Sequence, residues 1–175
     1  MQKSLSIYNF QKNETIASIG ASGGVWEIWF ASQVEGLTFY LQDIDPLNCN
    51  QEEIEYGIKY YEKLLQKPIS GKFIPIIGTQ TATNLPKNTF DKILVINSLH
   101  EFETPELILQ DIHEILKPNG KLFIEEQIAK FLGEIHKGCG KRLFTKIELI
   151  NLLKENNFEL KQTYLKSENV AIFQF

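Results

Sequence analysis

Cysteine is nearly absent from this chain. Only Cys49 and Cys139 occur in 175 residues. They lie far apart and match neither a disulfide framework nor the paired spacing of a structural zinc site. A reducing, cytoplasmic setting is the resulting expectation. Long apolar runs are also missing. None approaches the roughly 18 residues of a membrane-spanning helix, and the opening "MQKSLSIYNFQKNE" has no apolar core of a secretory signal. Nor is there an excess of positive charge. Eighteen Lys and Arg against 22 Asp and Glu give a formal net charge of −4. That balance provides no electrostatic footprint for nucleic acid and no polybasic segment for an anionic membrane. A nucleophile elbow, a Walker-type phosphate loop and an HExxH pair are absent, as are internal repeats.

What remains is ordinary globular composition, 43% apolar and 23% charged. The length predicts one domain, residues 1–175, large enough for a core without staples.

Apolar runs alternate with amphipathic stretches. "TIASIG", "LTFYLQDI", "GKFIPII", "FDKILVINSL" and "KLFIEEQ" read as five strands, with Pro75 an irregularity in the third. "VWEIWFASQ" reads as a helix start. "EEIEYGIKYYEKLL" sets Ile54, Ile58, Tyr61 and Leu65 near one helical face, with Tyr56, Tyr60 and Tyr61 read as packing. "TPELILQDIHEILKPNG" predicts a helix with Thr104 as N-cap, Pro105 first and Pro118-Asn119-Gly120 as its stop. Thr145 and Glu148 form a capping-box pattern ahead of "KIELINLLKENNF". "FELKQTYLKS" and "NVAIFQF" are two closing strands with a short link, hence an antiparallel hairpin. Alternation of this kind predicts an α/β fold: a Rossmann-like, doubly wound sheet of seven strands, mostly parallel, with a C-terminal antiparallel hairpin. Ligands of such sheets sit beyond the carboxyl ends of the strands, at the switch point.

The first strand-to-helix loop occupies that place. It is Gly20-Ala21-Ser22-Gly23-Gly24, where glycine permits positive φ and close backbone approach and a helix N-terminus follows. A dinucleotide fingerprint needs glycine at 20, 22 and 25, and this chain has Ser22 and Val25 there. Together with the terminal hairpin, that argues against a nicotinamide-dependent oxidoreductase. Asp43 follows Gly24 by 19 residues, and a carboxylate at the end of a second strand can accept hydrogen bonds from a ribose diol. The plainer alternative is a tight turn, with Asp43 and Asp45 ending the strand before Pro46.

The ordered set formed by this glycine loop, Asp43-Ile44-Asp45-Pro46, "NLPKNTFDKILVINSLHEF" and "ILKPNGKLFIEE" resembles the class I S-adenosylmethionine-dependent methyltransferases, from about residue 14 to the C-terminus. The resemblance implies S-adenosyl-L-methionine as cofactor and methyl transfer to a small-molecule acceptor. It places Gly20, Ser22 and Gly24 beneath the methionine and ribose portions and Asp43 on the ribose hydroxyls. Ile44 then packs on the adenine, with Thr79, Gln80 or Thr81 at the adenine edge. Asn97 and Ser98 fall at the methionine end. Ser18 stands where the family often has an acid, and Glu27 or Glu14 would have to supply that charge. Ser22 replaces a glycine, and the family's short acidic motif after strand 3 is missing. Such departures motivate a second reading, a non-catalytic adenosyl-ligand-binding or protein-interaction module on the same fold.

Methyl transfer needs alignment more than acid–base machinery. The catalytic candidates are His100, just past strand 4, and His136 in the Gly-rich segment "EIHKGCGKRLF", a substrate-lid candidate that also carries Lys137, Lys141 and Arg142. Glu125 and Glu126 end strand 5 and face the substrate or cap the strand. His113, inside a helix, reads as structural. His136 and Cys139 at i, i+3 invite a metal, but one pair without a second assigns none. Only about a dozen residues precede strand 1, which predicts an open site or one completed by a partner chain, as in a homodimer.

Overall fold

The computed structural model describes residues 1–175. The chain runs through helix α1 (Gln2–Tyr8), strand β1 (Thr15–Ile19), α2 (Val25–Ala31), β2 (Thr38–Asp43), α3 (Gln51–Leu65), β3 (Lys72–Ile77) and β4 (Phe90–Ile96). A single 3₁₀ turn (Leu99–Glu101) leads to α4 (Pro105–Ile115) and β5 (Leu116–Gln127), then α5 (Lys146–Glu155), β6 (Gln162–Leu165) and β7 (Val170–Gln174). The strands form one sheet in the order β3-β2-β1-β4-β5-β7-β6. Five strands are mutually parallel, and β7 runs antiparallel to both β5 and β6. The α/β class, the seven strands and the terminal hairpin are those expected.

Helices cover both faces. Tyr8, Phe10, Ile28, Phe30 and Ile54 bury α1, α2 and α3 against one face, while Ile108, Leu109, Ile112, Leu149 and Leu153 bury α4 and α5 against the other. Local chemistry starts the helices. The Asn50 side chain accepts the Glu53 amide at 3.0 Å, and Thr145 and Glu148 close the expected capping box. Pro75 is tolerated because β3 is an edge strand, paired only with β2.

Four expectations need correction. No element was anticipated before β1, yet α1 forms; seven residues are marginal alone, and packing of the almost fully buried Tyr8 supplies what propensity does not. Helix α4 stops at Ile115 and Pro118-Asn119-Gly120 lies inside β5. Proline forces the residue before it into extended backbone, and a bulge between Phe90 and Lys92 absorbs the offset. Gly120 permits this, since a Cβ there would lie 2.9 Å from the Phe90 carbonyl. Thr104 starts α4 but does not cap it; its hydroxyl donates to the Gln80 carbonyl. Strand β6 is shorter than 158–167, because Phe158 turns into the core and stacks on His113. His113 also bonds the Asn156 carbonyl at 2.7 Å, a structural link between α4 and the end of α5. Of the tyrosines on α3, Tyr61 is buried while Tyr56 and Tyr60 are exposed.

Candidate functional site

The sheet reverses its direction of winding between β1 and β4. Beyond the carboxyl ends of the strands there lies a cleft of about 550 Å³. Its floor is the loop after β1. Gly20 has φ +73, and a Cβ on it would lie 2.6 Å from Ser98 Cβ and Oγ. Only glycine lets this loop pass so close to the loop after β4. The Gly20 and Ala21 amides both donate to the Gln42 carbonyl, at 2.8 and 3.0 Å. Ser22 takes a left-handed φ of 48 and aims its amide at the Asp43 carboxylate, 2.8 Å away.

Asp43 is therefore built in firmly. One oxygen accepts the Ser22 amide, and the other accepts those of Ile44 at 2.8 Å and Asp45 at 3.1 Å. A carboxylate offers about four acceptor sites, so roughly one stays free for a ligand hydroxyl. A diol bonded twice would have to share with one of these amides. Ile44 beside it is 52% exposed, an apolar surface open to the cleft.

Thr79, Gln80, Asn97 and Ser98 also line the cleft. Asn97 has φ 51 and donates its amide to the Glu125 carbonyl at 2.6 Å. Ser98 Oγ donates to the Ile19 carbonyl at 3.0 Å. Three expected residues do not reach the lining. Thr81 turns back onto Thr79, with 3.3 Å between their hydroxyls. Gly24 begins α2 at φ +71, where a Cβ would strike Leu41 Cδ1 at 2.4 Å, so packing explains it. Ser18 is buried and donates its hydroxyl to Glu27 Oε1 at 2.6 Å.

Of the two acids considered as replacements for a charge at Ser18, Glu27 reaches that residue and Glu14 does not. Glu14 pairs with Lys92 at the opposite end of the sheet. Glu27 is 2% exposed. Burial pushes its carboxyl up to about 7, against the lowering effect of the Ser18 hydrogen bond. Its Oε2 has no hydrogen-bond partner.

The two candidate histidines sit at the rim rather than in the lining. His100 is buried on the 3₁₀ turn after β4, and its Nδ1 meets Glu126 Oε2 at 2.8 Å. Burial alone would lower this imidazole, but the hydrogen bond and charge of Glu126, with Glu101, outweigh it and raise it above its ordinary value. His136 approaches from the loop 128–144, its ring centroid 5.0 Å from that of His100. Glu125 and Glu126 are both buried. Glu125 accepts the Tyr8 hydroxyl at 2.8 Å and pairs with Lys166. Lys166 in turn stands 4.3 Å over the Trp26 ring.

Comparison with known proteins now decides the family. A model of a methyltransferase domain matches residues 5–163. The chain belongs to the methyltransferase domain family. Solved structures agree on the fold. A SAM-dependent methyltransferase from Aquifex aeolicus superposes with a TM-score of 0.75 at 18% identity, covering 99% of this chain and 87% of its own. A SAM-dependent methyltransferase from Methanosarcina mazei gives 0.71 at 17%, covering 97% and 95%. The mitomycin 7-O-methyltransferase MmcR gives 0.70 at 15%, covering 99% of this chain and 52% of that one. A search of the curated proteins found no match.

S-adenosylmethionine is the methyl donor of this family, and the methyltransferase's cleft fits such a group. Its floor at Gly20 has no room for a side chain, its wall carries the Asp43 carboxylate, and Ile44 offers an apolar face. Gln42, Asn48, Glu101, Phe102 and Glu103 line the cleft without having been expected there, and Lys141 reaches it from the segment read as a substrate lid. Glu101 to Glu103 had a signal, since they continue the "NSLH" segment already assigned to the rim. Gln42 had one in its place next to Asp43. Asn48 had none, as loop direction alone carries it in.

Proposed function

We propose that the methyltransferase moves the methyl group of S-adenosylmethionine onto a small-molecule acceptor, as a single cytoplasmic domain. The carrying observation is the 550 Å³ cleft, which combines the Asp43 carboxylate, the Gly20 floor and the exposed Ile44 within one wall. Asp43 would hold the ribose and Ile44 the adenine. Thr79 and Gln80 would border the base, and Asn97 with Ser98 would border the methionine end. When bound, the donor supplies an electrophilic methyl carbon and its own leaving group. The chain's part is to bind, align and exclude water.

The rim favours a neutral or cationic acceptor. Glu101, Glu103, Asp43 and Asp45 line the cleft against one cation, Lys141. Glu101 and Glu103 are lining carboxylates outside the Asp43 turn, and either can take the proton of an acceptor that must lose one. The net charge of −4 supports the same reading and speaks against a nucleic acid acceptor. No helix is long and apolar enough to cross a membrane.

Calorimetric titration with S-adenosylmethionine and S-adenosylhomocysteine, with NADH as control, tests the donor. Micromolar binding of the first two alone supports the proposal. Absence of adenosyl-ligand binding would turn it toward the interaction module, for which Ser18 and Ser22, standing where the family often has an acid and a glycine, are the motive. Tight binding without turnover on any panel of amines, alcohols and thiols would point to a non-catalytic adenosyl-ligand-binding protein.

A further inference from the structure

One cluster at the rim has no part in donor binding. His100, His136 and Cys139 come from two segments of the chain, and their donor atoms all lie within 4.8 Å of one another. Cys139 Sγ is 3.1 Å from His136 Nδ1 and 3.4 Å from His100 Nε2. The three differ in depth: His100 is buried, His136 half-buried and Cys139 exposed.

The hydrogen bonds turn both imidazoles toward the sulfur. Glu126 meets His100 Nδ1, which leaves His100 Nε2 facing Cys139 Sγ. His136 Nδ1 accepts the Cys139 amide in a long bond of 3.4 Å and stands 3.1 Å from the same sulfur. Two imidazole nitrogens and a thiol sulfur from two segments thus converge on one place, a donor set of the kind a soft divalent cation takes.

The distances suit such an ion. Zinc bonds of about 2.3 Å to sulfur and about 2.0–2.1 Å to nitrogen, set tetrahedrally, place the N and S donors about 3.5 Å apart. The observed nitrogen–sulfur separations of 3.1 and 3.4 Å need only a small expansion. The two imidazole nitrogens, which lie within 4.8 Å of each other, have to stand about 3.3 Å apart around the ion, a closure left to the loop that carries His136. Two imidazoles and a thiolate select a zinc-class ion over magnesium or calcium. Glu126 stands behind His100, the carboxylate–histidine arrangement that fixes the tautomer and orientation of a metal-binding imidazole.

We propose that His100, His136 and Cys139 bind one zinc-class divalent cation, oriented through Glu126. Three protein donors leave a fourth tetrahedral position for water or for a donor atom of a ligand, the pattern of reactive rather than purely structural sites. The ion ties the loop 128–144 to the turn after β4, beside Glu101. That residue lines the cleft and has Oε1 3.7 Å from His100 Nε2. Binding deprotonates Cys139, so affinity rises with pH and a proton is released.

The test uses the full chain, stripped with a chelator and kept reduced, titrated with cobalt(II) and followed by absorption. Saturation at one equivalent is expected, with a thiolate-to-cobalt band in the near ultraviolet and the strong visible bands of four-coordinate cobalt. Zinc should displace it. Cys139→Ser should abolish the thiolate band and His136→Ala should weaken binding at least about tenfold; both positions lie on the surface loop, so the variants fold. Glu126→Gln should weaken binding about 10–100-fold. A spectrum without cobalt bands overturns the proposal. So does a thiolate band that survives Cys139→Ser, which would move the ion to Cys49, or affinity untouched by His136→Ala. Calorimetry of the stripped protein with S-adenosylmethionine reads donor binding separately, so failure of either proposal is distinguishable from failure of the other.

Discussion

The two ends of β4 are built from the same kinds of residues and do opposite things. At its start, Lys92 is buried against the Glu14 carboxylate and also donates to the Asn9 carbonyl. Its neighbour Asp91 accepts the Thr15 amide at 2.9 Å and Lys117 Nζ at 2.8 Å. Burial would raise that carboxyl, but Lys117, the amide and Lys92 outweigh it and hold it below its ordinary value. Lys92, Glu14, Asp91 and Lys117 each have an ionic partner inside the protein. At the other end the backbone turns left-handed at Asn97, and the carboxylates of Asp43, Glu101 and Glu103 border open space. Polar groups satisfied internally hold a fold together, whereas polar groups left with capacity are what a ligand can use. One strand thus anchors the molecule at its amino end and presents a site at its carboxyl end.

If the two ends are independent, substitutions should separate stability from binding. Glu14→Ala carries the largest effect. It strands Lys92 in the interior and should cost roughly 3–5 kcal/mol in denaturant unfolding, with affinity for S-adenosylmethionine unchanged. An equal fall in affinity would show that the ends are coupled.

Glu27 lies between the two regimes, buried yet bonded to Ser18 at the end of β1. Its folded-state value of about 7 exceeds the ordinary 4.5. The folded protein therefore keeps a proton that the unfolded chain releases between those values. Stability from this group is complete below about pH 4.5, falls as pH rises and levels off above pH 7, a loss of about 3 kcal/mol in all. Glu27→Gln should remove that slope in urea titrations taken at successive pH values. A slope that persists in the variant would assign it to another group.

Asp43→Ala sharpens the other end. Its carboxylate has capacity for about one ligand hydroxyl, so calorimetry should show donor binding weakened by about 1.5–3 kcal/mol, the scale of one charged hydrogen bond. Unchanged affinity would mean the ribose is held elsewhere. Thr145→Ala gives the smallest effect. Losing the cap of α5 should lower stability by about 1 kcal/mol and leave donor binding alone, because α5 lies outside the cleft lining.

Sequence and structure divide along the same physical line. Features written within a few residues were legible: the glycine loop at Gly20, the capping box at Thr145 and the strand end at Asp43. Each follows from backbone conformations or contacts that span a turn or less. Helix α1 was not legible, because its signal is the burial of Tyr8 by distant strands rather than any local period. The place of Gly24 in packing, and not in the lining, depended on Leu41 across the β1–β2 pair.

By itself the amino-acid sequence determined the alternation of strands and helices, hence the doubly wound sheet, the switch point and the wall where Asp43 stands. Hydrophobic period, glycine and proline act locally, and local rules suffice to set them. Only the tertiary structure decided that Glu27 answers Ser18, that Glu14 belongs to Lys92, and that His100 meets Cys139 across 39 residues of chain. Those pairings depend on how loops leave the sheet and where their ends are carried, and no spacing along the chain encodes a meeting of that kind.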